Sequence, residues 1–547
     1  MQLQFVCMKS TLFKNLLGSS LLFTLFIVAC KKDNPIVNEP VDENNSKQTP
    51  TTNRVELTND SIFLYAKEIY YWNDKLPSYD VFEPRQYTTG GPDLAKYETN
   101  LFELVKYSGY EHVEGIDGPK FSYIEDVSDN NGASAGIRNL TNGVNLQGEG
   151  NDVGIYHIGA YGPSDNDYRV FIKAVFPGSP AAKVGLTRGA TITKIGTQEI
   201  GDNWEEDGPF INQLLGDPSS IHLEGEKADG SSYVADLVKE TYDSSPIYKD
   251  TVLNVGGKNI GYLAYARFSD TDNSVEALNV AFQKFAAVQD LVIDLRYNGG
   301  GYVSTAQYLA DLVAPTGTTG TMFVEYYNAL MQDGKASILQ NQPVRNGNGD
   351  IVGTGTYADY GYDVTTNTRR FEKKGPLGGV KNVIFLVTGN TASSSELLIN
   401  SLRAVPALTV KIVGTTTYGK PVGFFPVRLE GKYDLYLSSF STKNANGDGD
   451  YYDGFTPGID IDGTRMVDGL GQDRDNFSDY DFGDTRELYL AEALRLLGVG
   501  LASTSNTLMS TRDRQSSSSS NTSLNLMKGI QPKKEFRGMI ETRARNN

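Results

Sequence analysis

The chain has 547 residues, 39% of them hydrophobic and 11% aromatic, enough to bury several sizeable cores. A formal charge of −17 argues against a nucleic-acid backbone as the main partner and reads most simply as solubility. Only two cysteines occur, Cys7 and Cys30, both in the N-terminal apolar region, and the three histidines are scattered, so the folded body has no disulfide framework, thiolate metal site or histidine-rich metal cluster.

In chain order, Lys9 and Lys14 precede an apolar run at 21–28 that is too short for a comfortable membrane span. The run ends in Ile27-Val28-Ala29-Cys30, which resembles a bacterial lipobox. That resemblance makes residues 1–29 a lipoprotein signal peptide and Cys30 the lipidated first residue. The body is then tethered to the cell envelope, on the outer membrane facing the periplasm or the cell surface, through a lipid anchor that does not span the membrane. Residues 30–53, rich in Asn, Pro, Thr and charge, read as a flexible linker.

From Asp60, the residues Ile62, Tyr65, Ala66, Ile69 and Trp72 recur at helical spacing until Pro77 stops the pattern. Residues 54–147 therefore read as a small, mostly helical N-terminal domain whose aromatics are core. A β-rich unit follows over 148–242, with strands expected at 168–175, 190–195, 222–223 and 233–237. Between them, Pro177-Gly178-Ser179-Pro180 opens a short helix. Over 243–500 the chain alternates strands at 260–265, 291–295, 383–387 and 410–413 with helices at 274–287, from Ser304 and from Ser394. Continuous apolar strands between helices imply a largely parallel sheet covered on both faces. The Ser- and Thr-rich stretch 501–547, with five serines at 516–520 and mostly basic charges, reads as a disordered tail, with a weak contact to an anionic surface as the alternative.

Three segments of the 243–500 region could build one site. The strand at 383–387 runs into Thr391-Ala392-Ser393-Ser394-Ser395-Glu396. Ser393 and Glu396 have capping-box spacing, yet a strand–turn–helix corner also exposes a nucleophile beside free N–H groups. Lys420, in Tyr418-Gly419-Lys420-Pro421, has apolar and glycine neighbours; held away from water there it would favour its neutral form and serve as a base. Asp294-Leu295-Arg296-Tyr297-Asn298-Gly299-Gly300-Gly301 follows an apolar strand with three glycines that can turn an N–H inward. All three lie at carboxyl ends of strands, where parallel sheets place their sites. No histidine follows His222, so a serine nucleophile here needs another base, and lysine is the alternative.

Residues 54–500 resemble the C-terminal-processing (tail-specific) serine proteases. The family's Ser-Ala-Ser-Ala-Ser-Glu box corresponds to 391–396, its Arg-Asn-Asn-Pro-Gly-Gly stretch to 296–301, and its Phe-Gly-Lys-Gly turn to 418–421. The resemblance implies a multidomain α/β chain: a crotonase-like α/β protease core at 243–500, an inserted β-rich PDZ domain at 148–242, and a small helical N-terminal domain. It implies Ser393 as nucleophile, Lys420 as general base, and the backbone N–H groups of Ser394 and Gly301, with Gly300 beside it, as oxyanion hole. The substrates would be polypeptides with free C-termini, the PDZ loop Val153-Gly154-Ile155 holding the terminal carboxylate, and no cofactor is implied. Two departures stand out. Counting back from Lys420 selects Ser395 rather than Ser393, and a lysine-orienting glutamine of many members is replaced by Phe424. The second departure supports an alternative, a catalytically weak or inactive PDZ-based peptide-binding lipoprotein. A crotonase-type acyl-CoA enzyme is a weaker one. Asn444-Ala445-Asn446-Gly447-Asp448-Gly449-Asp450 faintly suggests a calcium loop, but its twelfth position is Phe455, and no metal site is expected.

Overall fold

The computed structural model describes residues 47–128, 143–345, 350–457, 480–499, 525–526 and 538–541. Residues 1–49 and 50–547 form separate units, and the fold below is that of the second. The expected signal peptide, Cys30 and most of the linker lie outside the described residues.

Asn53 caps the first helix, Arg54–Ile69, its side chain accepting from the Val55 N–H at 3.0 Å. The helix buries Ile62, Phe63, Tyr65, Ala66 and Ile69, as the spacing predicts. A second helix, Asp93–Val105, buries Tyr97, Leu101, Leu104 and Val105. These faces do not close a core of their own. They join one cluster with Leu263, Phe282, Leu309, Phe385 and Leu398 of the later α/β region, and strand Tyr123–Asp126 pairs antiparallel with Tyr433–Tyr436. The expected separate helical domain is therefore a layer on the main core.

The β-rich unit has its own core, including Ile155, Val170, Ile192, Ile211, Leu214 and Leu223. Its expected strands appear as Asp167–Val175, Thr191–Ile195, Ser220–Glu226 and Ser232–Val238, with the short helix Pro180–Lys183 capped by Ser179. Beyond these the unit contains further elements, above all strand Ile155–Ser164 and helix Trp204–Leu215, with the shorter strands Glu149–Asp152, Gln198–Glu199 and Glu240–Asp243.

The main sheet runs Ile247–Val255, Lys258–Tyr265, Asp290–Asp294, Asn382–Val387, Thr409–Gly414. Its last four strands are parallel and the first is an antiparallel edge, close to the expected parallel sheet. Helices Thr271–Lys284, Val303–Val313 and Ser394–Arg403 cover one face with the large cluster; helix Leu488–Leu496 covers the other with Tyr262, Val292, Ile384 and Leu386. No described helix is long and apolar enough to cross a membrane.

The expected free tail needs correction where it is described. Asn525–Leu526 pairs antiparallel with Tyr161 and Gly162 at the edge of the β-rich sheet, and Gly538–Ile540 pairs parallel with Gly300–Tyr302. Met539, Ile540 and Glu541 are buried. Backbone pairing in a groove fixes this segment, which local composition does not report.

Candidate active site

The turn after strand Asn382–Val387 is clamped onto the neighbouring strand's loop. Thr388 Oγ1 donates to the Arg296 carbonyl at 2.6 Å, Thr391 Oγ1 to the Leu295 carbonyl at 2.8 Å, and the Ala392 N–H to the Asn298 carbonyl at 3.2 Å. These bonds bring the serine run against the three glycines. Asn298, fully buried, shapes that loop from inside: its Oδ1 accepts the Gly300 N–H at 3.0 Å and its Nδ2 donates to the Tyr265 carbonyl at 3.0 Å.

The three serines separate by their partners. Ser394 Oγ donates to the Gly301 carbonyl at 2.8 Å, and Ser395 Oγ donates to the Asn298 carbonyl at 3.0 Å. Ser393 Oγ is buried and donates to no acceptor among the described residues, with the Glu396 N–H of the capping box facing it. Ser393 also has φ 61° and ψ −112°, a conformation costly for a side-chain-bearing residue and most often kept where function needs it. Helix Ser394–Arg403 starts immediately after it, so the Ser394 N–H belongs to the unsatisfied first turn.

Gly300 (φ 112°) and Gly301 (φ 136°) adopt backbone that favours glycine. A Cβ on Gly300 would stand 3.0 Å from Ser393 Cβ and 3.1 Å from the Ser394 nitrogen, so its absence keeps open the space in front of the serine. The four residues expected to act together, Ser393, Ser394, Gly300 and Gly301, are thus adjacent.

Glu396 ties this cluster to the lysine turn. One carboxylate oxygen accepts from the Ser393 and Lys420 N–H groups, both at 2.8 Å; the other accepts from Thr417 Oγ1 at 2.6 Å and the Gly419 N–H at 2.7 Å. Burial pushes its pKa up, while the four donors pull the other way. The returned bond from Ser393 to Glu396 is the half of a capping box that the spacing predicts, but Glu396 serves the lysine turn as well. Lys420 is fully buried; its Nζ donates to the Phe121 carbonyl at 3.0 Å and lies 4.3 Å from the Phe424 ring centroid. Phe424, which stands where the tail-specific proteases often carry a lysine-orienting glutamine, therefore presents an aromatic face to the Lys420 amine. The sequence motifs give Glu396 only a capping role and Asn298 none, although both sit in the quoted segments.

Val153, Gly154 and Ile155 lie in the β-rich unit and are not brought to this cluster. All three are buried, and the Gly154 N–H already donates to the Asp152 carboxylate at 2.7 Å. Among the described residues, no group of three or more His, Cys, Asp or Glu is arranged to hold a metal ion.

An α/β chain with a strained serine, a buried lysine and glycine-lined backbone at the carboxyl edge of a parallel sheet defines the class of site. Residues 259–461 match the model of Peptidase family S41, a match that supports a serine-type peptidase. No curated protein matches the sequence. Among solved structures, the chain is similar to a protein assigned to the S41 proteases from Bacteroides fragilis NCTC 9343, with a TM-score of 0.52 and 22% identity over 80% of this chain and 97% of that one. It is also similar to the photosystem II D1 C-terminal processing protease (TM-score 0.40, 17% identity, 77% and 97% covered). Mature CPAF complexed with lactacystin is a third (TM-score 0.38, 13% identity, 75% and 93% covered). The first of these shows a shared fold.

Proposed function

We propose that this chain is a serine endopeptidase of the C-terminal-processing type. The carrying observation is the sorting of the serines: Ser394 and Ser395 spend their hydroxyls on carbonyls, while Ser393 keeps a strained backbone and a hydroxyl that donates to no acceptor among the described residues. Ser393 Oγ attacks a peptide carbonyl, neutral Lys420 takes its proton, and the Ser394 and Gly301 N–H groups hold the oxyanion. Lys420 then protonates the leaving amine and activates the water that hydrolyses the acyl-enzyme.

The β-rich unit, whose outer strand Ile155–Ser164 already pairs with the added strand Asn525–Leu526, suits the expected PDZ role of adding a substrate strand. Recognition of a free carboxylate by residues 153–155, lipidation at Cys30 and a cell-envelope location belong to the same proposal. A second reading, a catalytically weak peptide-binding protein, is favoured by Phe424 in the glutamine position. Casein turnover separates the two. Ser393→Ala and Lys420→Ala should each abolish cleavage with the thermal melt retained; activity that survives Ser393→Ala and is lost in Ser395→Ala would show that the other serine attacks.

A further inference from the structure

The groove beside Ser393 holds a piece of the chain itself. The Gly538 N–H donates to the Gly299 carbonyl at 3.1 Å, and the register pairs Gly300 with Gly538, Gly301 with Met539 and Tyr302 with Ile540. In a parallel ladder with that first bond, the next rung runs from the Gly301 N–H to the Gly538 carbonyl. On its other side the segment pairs with Phe424, whose N–H donates to the Met539 carbonyl at 3.0 Å and whose carbonyl accepts from the Glu541 N–H at 3.1 Å. The segment is therefore a strand laid between the glycine loop and the strand that follows Lys420.

Its position is that of a bound peptide. The place a Cβ on Gly300 would occupy is 2.4 Å from the Gly538 oxygen and 3.0 Å from Ser393 Cβ, so those two atoms are no further apart than the sum of these distances. The Gly538 carbonyl thus meets a candidate oxyanion donor while standing next to the candidate nucleophile. Beyond it, Ile540 sits in an apolar pocket with Leu146, Tyr302, Phe424 and Tyr436, and the Glu541 carboxylate lies 3.4 Å from Arg369. A second contact upstream repeats the theme: Asn525–Leu526 adds an antiparallel strand to the outer edge of the β-rich sheet at Tyr161 and Gly162. Without it, strand Ile155–Ser164 would be an open edge.

We propose that the C-terminal segment is an intramolecular occupant of the peptide groove: it presents the Gly538–Met539 peptide to Ser393 and excludes other peptides. This rests on the peptidase reading of the site. It also names the preferred ligand class, an extended peptide with glycine at the attacked carbonyl, two apolar residues after it and an acid next. A tethered ligand acts at roughly millimolar effective concentration, so a peptide added at micromolar levels competes poorly with it.

The test uses the full chain with Ser393→Ala throughout, so that binding is read without turnover. A labelled synthetic peptide of residues 533–547 is titrated by fluorescence anisotropy against the chain with its native tail and against one carrying Ile540→Asp. The peptide should bind the Ile540→Asp chain roughly a hundredfold more tightly, and a peptide carrying Ile540→Asp should bind neither. A milder variant, Glu541→Arg, sets like charges against Arg369 and should give a smaller gain in the same direction. Equal binding to all chains overturns the proposal. So does failure of both variants to fold, since the segment would then be a structural strand. With Ser393 restored, casein turnover by the Ile540→Asp chain should rise about tenfold or more. If the binding pattern holds and no chain cleaves, the peptidase reading fails and the tail's occupancy stands.

Discussion

Ser393, Gly300 and Glu396 carry the site's residue-scale logic. Gly300 has a left-handed φ and faces the serine, so Gly300→Ala places a methyl in the reaction space and strains the loop. On the Ile540→Asp background, where the tail is already released, cleavage should fall about a hundredfold or more while the strain costs about 1–2 kcal/mol in a thermal melt; with the native tail the added Cβ also meets the Gly538 oxygen at 2.4 Å. Glu396→Gln tests the link between serine and lysine. The carboxylate accepts four donors on two oxygens, and an amide nitrogen must face at least one backbone N–H whichever way it is turned, the Ser393 and Lys420 pair on one side or that of Gly419 on the other. The expected result is a fall in kcat of roughly a hundredfold with little change in KM, because the groove that holds the peptide backbone is untouched. Which serine attacks was open in the sequence, where the box pointed to Ser393 and the spacing to Lys420 pointed to Ser395. The strained backbone of Ser393 and the hydroxyl bond of Ser395 distinguish them, and that bond depends on the Asn298 carbonyl, 97 residues upstream.

Among the elements, the parallel strands were legible because burial on both faces makes them continuous apolar runs, as in Leu291-Val292-Ile293 and Val383-Ile384-Phe385. Helix Trp204–Leu215 was hidden by Gly208 and Pro209 inside it, and strand Ile155–Ser164 by its two glycines and a closing proline. Gly538–Ile540 could not be read at all, since three residues carry no periodicity and their strand geometry comes from the groove. Helix Val303–Val313 offers a test of its own. Asp311, near its end, accepts the Glu372 N–H at 2.7 Å, and burial pushes its pKa from 3.8 up to about 6. The folded state therefore holds this proton more tightly than the unfolded chain, so stability from Asp311 is present below about pH 4 and is lost as pH rises through 6. Asp311→Asn keeps the acceptor oxygen and should melt like the parent at pH 4. At pH 7 it should be more stable by about 1–3 kcal/mol.

At the scale of the whole molecule, a buried charge network joins the β-rich unit to the main sheet. Arg188 reaches the Tyr297 hydroxyl and lies 3.5 Å from Glu487, which pairs with Arg296 at 2.7 Å; Arg296 in turn pairs with Asp294 at 2.6 Å. Tyr297 and Arg296 open the loop that becomes Gly300 and Gly301, so the β-rich unit is tied to the site's glycine backbone. Removing the shared carboxylate by Glu487→Ala leaves two buried guanidinium groups less well paired and should cost roughly 3–5 kcal/mol in calorimetry. The central claim, that Ser393 is a nucleophile activated by Lys420, is tested most directly by mapping the covalent adduct of a fluorophosphonate on the Ile540→Asp chain by mass spectrometry. The adduct should fall on Ser393 and disappear in Lys420→Ala; an adduct on Ser395, or none on the serine run, would contradict it.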